Sequence, residues 1–295
     1  MSISSHRFHK RLAQAAVLVV FLSIFSTPCR SDALLPIPAQ IQHTSEWCWA
    51  TVGQMVFQYY HVPDIGFGGD YQCGIVALYG ATYDPNTGTW SGPCLNNCYA
   101  CVVGAAQFQT IQVMLLQYPQ FADYFTGTKS AQPIASVAAS APLLPDQVVE
   151  ELDAGRPIIT ALAPSSPYFT GPPTHVALIV GYVQLPNELD VIVNDPFPYE
   201  DALPPGVQDP YLAAGGRFLE TGRYQIEIRS FVYGLSWSQS AYEIAPMQPA
   251  QTTPPPPPPP AKSSSGGGIF SGALSWDEVM ILAVIILLGR VGRRA

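Results

Sequence analysis

The stretch "THVALIVGYVQLPNELDVIVNDPFP" (Thr174–Pro198) decides the fold. From Val176 to Val183 it is apolar on both faces, the pattern of a strand in the middle of a sheet. A second strand, Asp190–Asn194, follows a short connection around Leu185-Pro186-Asn187, so the two pair as antiparallel neighbours. The start of the first then lies beside the end of the second. That brings His175 next to Asn194 or Asp195. These two residues point to opposite faces, so only one of them serves His175. Asp195-Pro196 is also an ordinary Asx-Pro turn.

Working outward, strands are expected near Pro157–Leu162 and Tyr224–Arg229, and a helix near Ala106–Gln117. A further helix lies in "QIQHTSEWCWATVGQMVFQYY" (Gln40–Tyr60), where Trp49, Val52, Met55, Val56 and Tyr59 recur at helical spacing. Thr44 or Ser45 is its expected N-cap, with Glu46 in the first turn. Cys48 falls in that first turn, where unpaired N–H groups and the helix dipole favour a thiolate.

Two readings of Cys48 compete: a disulfide half or buried small hydrophobe, and a nucleophile. The chain has six cysteines. An export signal would remove Cys29 and leave Cys48, Cys73, Cys94, Cys98 and Cys101. An odd number in an exported protein implies a free or intermolecular thiol. Two disulfides among Cys73, Cys94, Cys98 and Cys101 account for the cluster downstream, with three pairings open. Zinc is the rival reading, but C-x3-C-x2-C is not the paired C-x2-C spacing of zinc ribbons, and no metal is expected. Cys48 is left over.

A nucleophilic thiol needs a base, a group to orient that base, and donors for an oxyanion. Between the terminal segments the chain offers His43, His61 and His175. His43 is too close to Cys48 in sequence to face it across a cleft, and His61 sits at the far end of the same helix. His175 remains. Asn194 or Asp195 would orient it. Gln42, with the backbone N–H of Cys48, would supply the oxyanion donors, Gln40 being the weaker choice.

The ends of the chain read as address and anchor. Residues 1–33 have a basic start (His6, Arg7, Lys10, Arg11), an apolar run Ala15–Phe25 and a small-x-small site at Ser31-Asp32-Ala33, as in a signal peptide. Pro28 makes Cys29 a poor lipidation site. Residues 247–268 form a Pro-rich, then Ser/Gly linker. Its seven prolines, Pro254–Pro260, extend roughly 20 Å at about 3.1 Å per residue. Residues 269–295 are a hydrophobic segment ending in Arg290, Arg293 and Arg294, the layout of a membrane anchor with its cations in the cytoplasm. The globular part, 34–246, is thus placed outside the cytoplasm, in the periplasm or at the cell surface. It holds five basic and eighteen acidic residues. That excess of negative charge repels nucleic acid and anionic lipid, and no Gly-rich phosphate loop is present.

The Gln42 to Cys48 spacing, "WCWA", "HVALIVGY", "VNDP" and the helix-to-strand stretch "EELDAGRPIITAL" (Glu150–Leu162) together resemble the papain-like cysteine peptidases. The likeness is to their bacterial branch around the bacteriocin-processing (double-glycine leader) peptidases and the secreted plant-pathogen effector proteases. It spans most of Leu34–Asp195. It implies an α+β, papain-like fold with a helical lobe, 34–130, packed on an antiparallel sheet lobe, 131–246. Cys48 and His175 would form opposite walls of the cleft between them. It further implies Cys48 as nucleophile, His175 as general base and acid, Gln42 as oxyanion donor and Asp195 as the orienting acid. Asn194 is the reserve, because the papain end of the family uses Asn there. No cofactor is implied; the partner is a peptide or protein substrate. The tail resembles the sorting tails of Gram-negative bacteria, which a dedicated sorting protease clips. The Cys-rich insertion after Cys73 departs from the minimal bacteriocin-processing domain, and no linked transporter follows. Competing functions are a thiol amidase or transferase on non-peptide amides, and a binding module on an inactive peptidase scaffold.

Overall fold

A computed structural model describes residues 32–66, 71–101, 108–129, 131–164 and 175–248. These residues fall in one compact unit, Met1–Pro249. Almost all of the expected signal, most of the linker and the whole hydrophobic tail lie outside the described residues. Among the described residues no helix is long and apolar enough to cross a membrane.

Strands β1 (Ala33–Leu34), β4 (Ile134–Ala139), β5 (Ile158–Leu162), β6 (His175–Gln184), β7 (Leu189–Asn194), β8 (Arg217–Glu220), β9 (Arg223–Glu227) and β10 (Gln239–Pro246) build one antiparallel sheet. Its order is β4-β10-β5-β6-β7-β9-β8, with β1 on β6. A separate hairpin joins β2 (Thr82–Asp84) to β3 (Thr89–Ser91). The apolar hairpin expected at the centre is there: β6 pairs β7 with Leu178 opposite Asn194 and Gln184 opposite Leu189. Residues His175–Tyr182 are all buried, as a strand covered on both faces must be. Strand β1 continues along β6 where β5 stops, pairing Leu34 with Gly181. A Cβ at Gly181 would stand 2.5 Å from the Ala33 carbonyl oxygen, so the close approach requires glycine. Ala33, at the expected cleavage site, takes part in this pairing, and Oδ1 of the preceding Asp32 accepts from the Gln184 N–H at 2.9 Å.

The helical part comes first in the chain: α1 (Cys48–Tyr59), α2 (Tyr71–Gly80) and α3 (Phe108–Thr126). Helix α1 is buried from Cys48 through Phe57, because it packs on β6 as well as on α2 and α3. Gly53 lets α3 come close: a Cβ there would lie 2.7 Å from Met114 Sδ. Helix α4 (Pro145–Asp153) precedes β5, and the short helices α5 (Tyr199–Ala202) and α6 (Pro210–Ala213) follow β7. The α+β class expected from the sequence is the observed one.

Three local expectations are corrected. Helix α3 does not stop at Gln117; it runs through Pro119 to Thr126. Burial of Tyr118, Phe121 and Ala122 on its far half outweighs the lost helix bond, and Phe121 packs edge-on against Trp90 at 4.8 Å. The strand expected to reach Arg229 ends at Glu227. Its carboxylate accepts from Ser230 N–H at 2.8 Å and caps helix α7 (Ile228–Gly234). Neither Thr44 nor Ser45 caps α1. Thr44 instead closes a turn, its carbonyl accepting from the Trp47 N–H at 3.2 Å, and Trp47 becomes the N-cap without a side-chain bond.

Candidate active site

Cys48 is the first residue of α1, His175 the first of β6, and Asp195 directly follows β7. The end of the helix and one end of the sheet therefore meet at these three side chains. Cys48 is 5% exposed, His175 2% and Asp195 0%. The four cysteines of the cluster are paired as Cys73–Cys98 and Cys94–Cys101, with Cα separations of 5.1 and 5.5 Å. Both lie in the range for a disulfide. Cys48 is the one free cysteine among the described residues.

His175 Nε2 is 2.7 Å from Asp195 Oδ1. The thiol of Cys48 is a second hydrogen-bond partner of the ring. Burial pulls the imidazole towards its neutral form. The Asp195 carboxylate and, after it, the Cys48 side chain outweigh this, and the pKa of His175 is pushed up to about 10. Phe197 and Tyr199 stand edge-on to the ring, at 6.4 and 6.5 Å between centroids, and restrict its rotation.

Asp195 is well supplied with donors. Pro196 ends the strand, and Phe197 N–H turns back to Oδ1 at 2.9 Å. Tyr211 on α6 donates to Oδ2 at 2.8 Å, and Tyr199 on α5 lies 3.5 Å from the same oxygen. Burial and then the negative charge of Asp195 raise both phenols well above their ordinary pKa, so they remain donors. Neither tyrosine was singled out by the sequence. Tyr211 is sixteen residues away from Asp195, and no local spacing signals the contact.

Asn194 faces the other way. Its amide donates to the Ile37 carbonyl at 3.0 Å, and its oxygen accepts from Arg223 Nε at 2.7 Å. Asn194 therefore fastens the segment before α1 to the sheet. We expect Asn194→Ala to lower unfolding free energy by about 1–3 kcal/mol, the cost of orphaned buried polar groups. Denaturant melts would measure that, and turnover per folded molecule should stay within twofold of wild type.

Gln42 lies on the segment leading to α1 and is buried. Its backbone N–H donates to the Pro196 carbonyl at 2.9 Å, which joins it to the Asp195 turn. Its side-chain Nε2 donates to the Thr44 carbonyl at 2.9 Å. Gln40 accepts from Gln54 Nε2 at 3.3 Å. His43 is exposed, with Nδ1 3.3 Å from the Tyr99 hydroxyl, and His61 is an exposed residue beyond the end of α1, with φ of 57°. Among the described residues no group of three or more His, Cys, Asp or Glu side chains could hold a metal ion.

A buried free thiol bonded to an imidazole, itself bonded to a carboxylate, is the arrangement from which thiol acyl transfer proceeds. No curated protein matches the chain. The sequence model of the Peptidase_C39 like family matches residues 34–204, which takes in Gln42, Cys48, His175 and Asp195. The match covers more than half of the chain, and the α+β fold is compatible with the papain-like architecture of that family: the protein belongs to the Peptidase_C39 like family, whose name carries a cysteine-peptidase-like function.

Proposed function

We propose that the protein is an extracytoplasmic, anchored cysteine peptidase that hydrolyses peptide bonds through Cys48, His175 and Asp195, with Gln42 as oxyanion donor. The observation that carries the reading is the buried chain from the free Cys48 thiol through His175 to Asp195. In the first half-reaction His175 takes the proton of the Cys48 S–H as the sulfur bonds to the substrate carbonyl carbon, and the carbonyl π pair moves onto oxygen. Gln42 Nε2–H and the Cys48 backbone N–H donate to that oxyanion. When the carbonyl re-forms, the C–N bond breaks and the imidazolium of His175 gives its proton to the departing amine. Water then attacks the thioester, His175 takes a proton from it, and the acid leaves as the sulfur is expelled and regains that proton from His175. Asp195 holds the ring in register and stabilises its charged form throughout.

The two disulfides support an oxidising compartment. Export through residues 1–33, anchoring through 269–295, and clipping of that tail by a sorting protease belong to the same proposal. So does a peptide or protein substrate, nucleic acid being disfavoured by the acidic surplus of the domain.

The test is a thiol-directed epoxide against the full chain, followed by a proteome-derived peptide library. Labelling of Cys48 at least 100-fold faster than of glutathione, with new peptide ends in the library digest, is expected. Labelling no faster than glutathione would support the binding module. Fast labelling without any cleaved peptide would support the amidase or transferase.

A further inference from the structure

Helix α2 supplies a buried glutamine that nothing in the mechanism uses. Gln72 is 1% exposed. Its Oε1 accepts from the His43 N–H at 3.0 Å, and its Nε2 donates to the Ile41 carbonyl at 2.9 Å. Ile41 and His43 flank Gln42. The same Nε2 donates its second hydrogen to Gln54 Oε1 at 3.1 Å. Both donor hydrogens of the amide are thus used, together with one acceptor site. Gln54 lies on α1, between one and two turns beyond Cys48. One side chain therefore grips the backbone on both sides of Gln42 and ties it to the helix that carries the nucleophile.

Gln72 is itself held firmly. The next residue, Cys73, is bridged to Cys98. Beyond Cys98, Tyr99 stacks on Trp47 at 5.2 Å between ring centroids, with its hydroxyl 3.3 Å from His43 Nδ1. Trp47 immediately precedes Cys48. The two residues joined by this disulfide thus neighbour groups that hold the Ile41–Trp47 segment near both of its ends.

We propose that Gln72 is a positioning residue for the oxyanion donor, fixing Gln42 relative to Cys48. This rests on the peptidase reading given above. Gln72 touches neither substrate nor sulfur; it acts through the backbone of Ile41 and His43. An oxyanion donor works because it is already in place when charge develops. A donor displaced by about 1 Å loses on the order of 100-fold in rate.

The test compares wild type, Gln72→Met, Gln42→Ala and the double variant, each as the full chain with disulfides intact. Two rates are read: turnover of the best peptide from the library, and alkylation of Cys48 by iodoacetamide. Alkylation is a displacement at saturated carbon and forms no oxyanion. For Gln72→Met we expect kcat to fall about 10- to 100-fold, with KM and the alkylation rate within twofold of wild type. The double variant should be no more than threefold worse than Gln42→Ala, because both changes disable one donor. A kcat within threefold of wild type, or full multiplication of the two losses, overturns the proposal. If Gln72→Met does not fold, Gln72→Glu carries the same comparison, since it keeps the acceptor for His43 and loses the donor to Ile41. Amide exchange in the wild type needs no variant: the His43 N–H should be protected like the interior of α1, and exchange at the rate of an open loop also overturns the proposal. A wild type that cleaves no peptide removes the peptidase reading and this proposal with it. A wild type that cleaves, with Gln72→Met equal to it, removes this proposal alone.

Discussion

On the proposed mechanism, replacing Cys48 by alanine should abolish peptide turnover, a loss on the order of 10⁵-fold or more, as removal of the nucleophile does in acyl-transfer enzymes. The size of the effect follows from the absence of a substitute. The remaining described cysteines are locked in Cys73–Cys98 and Cys94–Cys101, so no second thiol stands near His175. Neither the oxyanion donors nor the His175–Asp195 pair can form the thioester. The fold, by contrast, should hardly notice. Exchanging a buried thiol for a methyl group removes one atom from a helix end whose backbone bonds remain, so the melting temperature should stay within a few degrees of wild type. His175 loses the smaller of its two supports and keeps the larger, the Asp195 carboxylate. Library digests followed by mass spectrometry, beside a thermal melt, make the comparison. Cys48→Ala retaining more than about 1% of wild-type turnover would sink the mechanism, since the residual rate left by the oxyanion donors and binding alone is far smaller than that.

The central hairpin was legible because its determinants are local: a doubly apolar run, a four-residue connection and a proline after the second strand. Helix α1 was legible from its apolar spacing, but its start was not. The Thr44–Trp47 turn uses the very residues that look like caps. Strands β4 and β10 carried no such signal. "IASVAA" and "QSAYEIAP" are poor in β-branched residues, and what makes them strands is their pairing with each other, and that of β10 with β5, between segments far apart in the chain. Helix α3 passed its proline for a similar reason, the burial of Phe121 against Trp90, a ring contributed by β3. At the candidate site, His175 stood out by elimination among few histidines, and the hairpin's own geometry put either Asn194 or Asp195 beside it. Tyr199, Tyr211 and Gln72 were invisible because each acts across a fold that their neighbours in sequence do not encode. The choice between Asn194 and Asp195 shows the boundary. Strand alternation states that only one can face His175; the observed register and the Asp195-Pro196 turn turn Asn194 to Arg223 and Asp195 to the imidazole.

Asp195→Asn is expected to lower kcat by about 10³- to 10⁴-fold at neutral pH, and to change the shape of the pH profile as well as its height. In the wild type, burial opposes the charged ring, and the Asp195 charge and hydrogen bond reverse that effect, leaving the His175 pKa at about 10. An amide carries no net charge. Without the carboxylate the burial penalty is nearly unopposed, and the ring falls back to its ordinary range near 6.5 or below. The proton needed by the leaving amine is then missing at neutral pH. The alkaline limb of kcat/KM, expected near pH 10 in the wild type, should move down by at least two units in the variant. Stability should follow the same group. Because folding raises the pKa of His175 above its unfolded value of about 6.5, the ring stabilises the fold fully below that pH. The contribution is lost as pH rises through the folded value of about 10. Wild-type melting temperature should therefore decline between those two pH values, and the decline should flatten in Asp195→Asn. The variant should also be less stable at pH 6 by about 1–3 kcal/mol, because an amide turned to present its oxygen to Tyr211 meets the His175 N–H with a donor of its own. Kinetics from pH 5 to 10.5 and melts over the same range give both profiles. A variant whose alkaline limb stays with the wild type would show that the ring draws its charge from some other source, and Asp195 would keep only an architectural place at the end of β7.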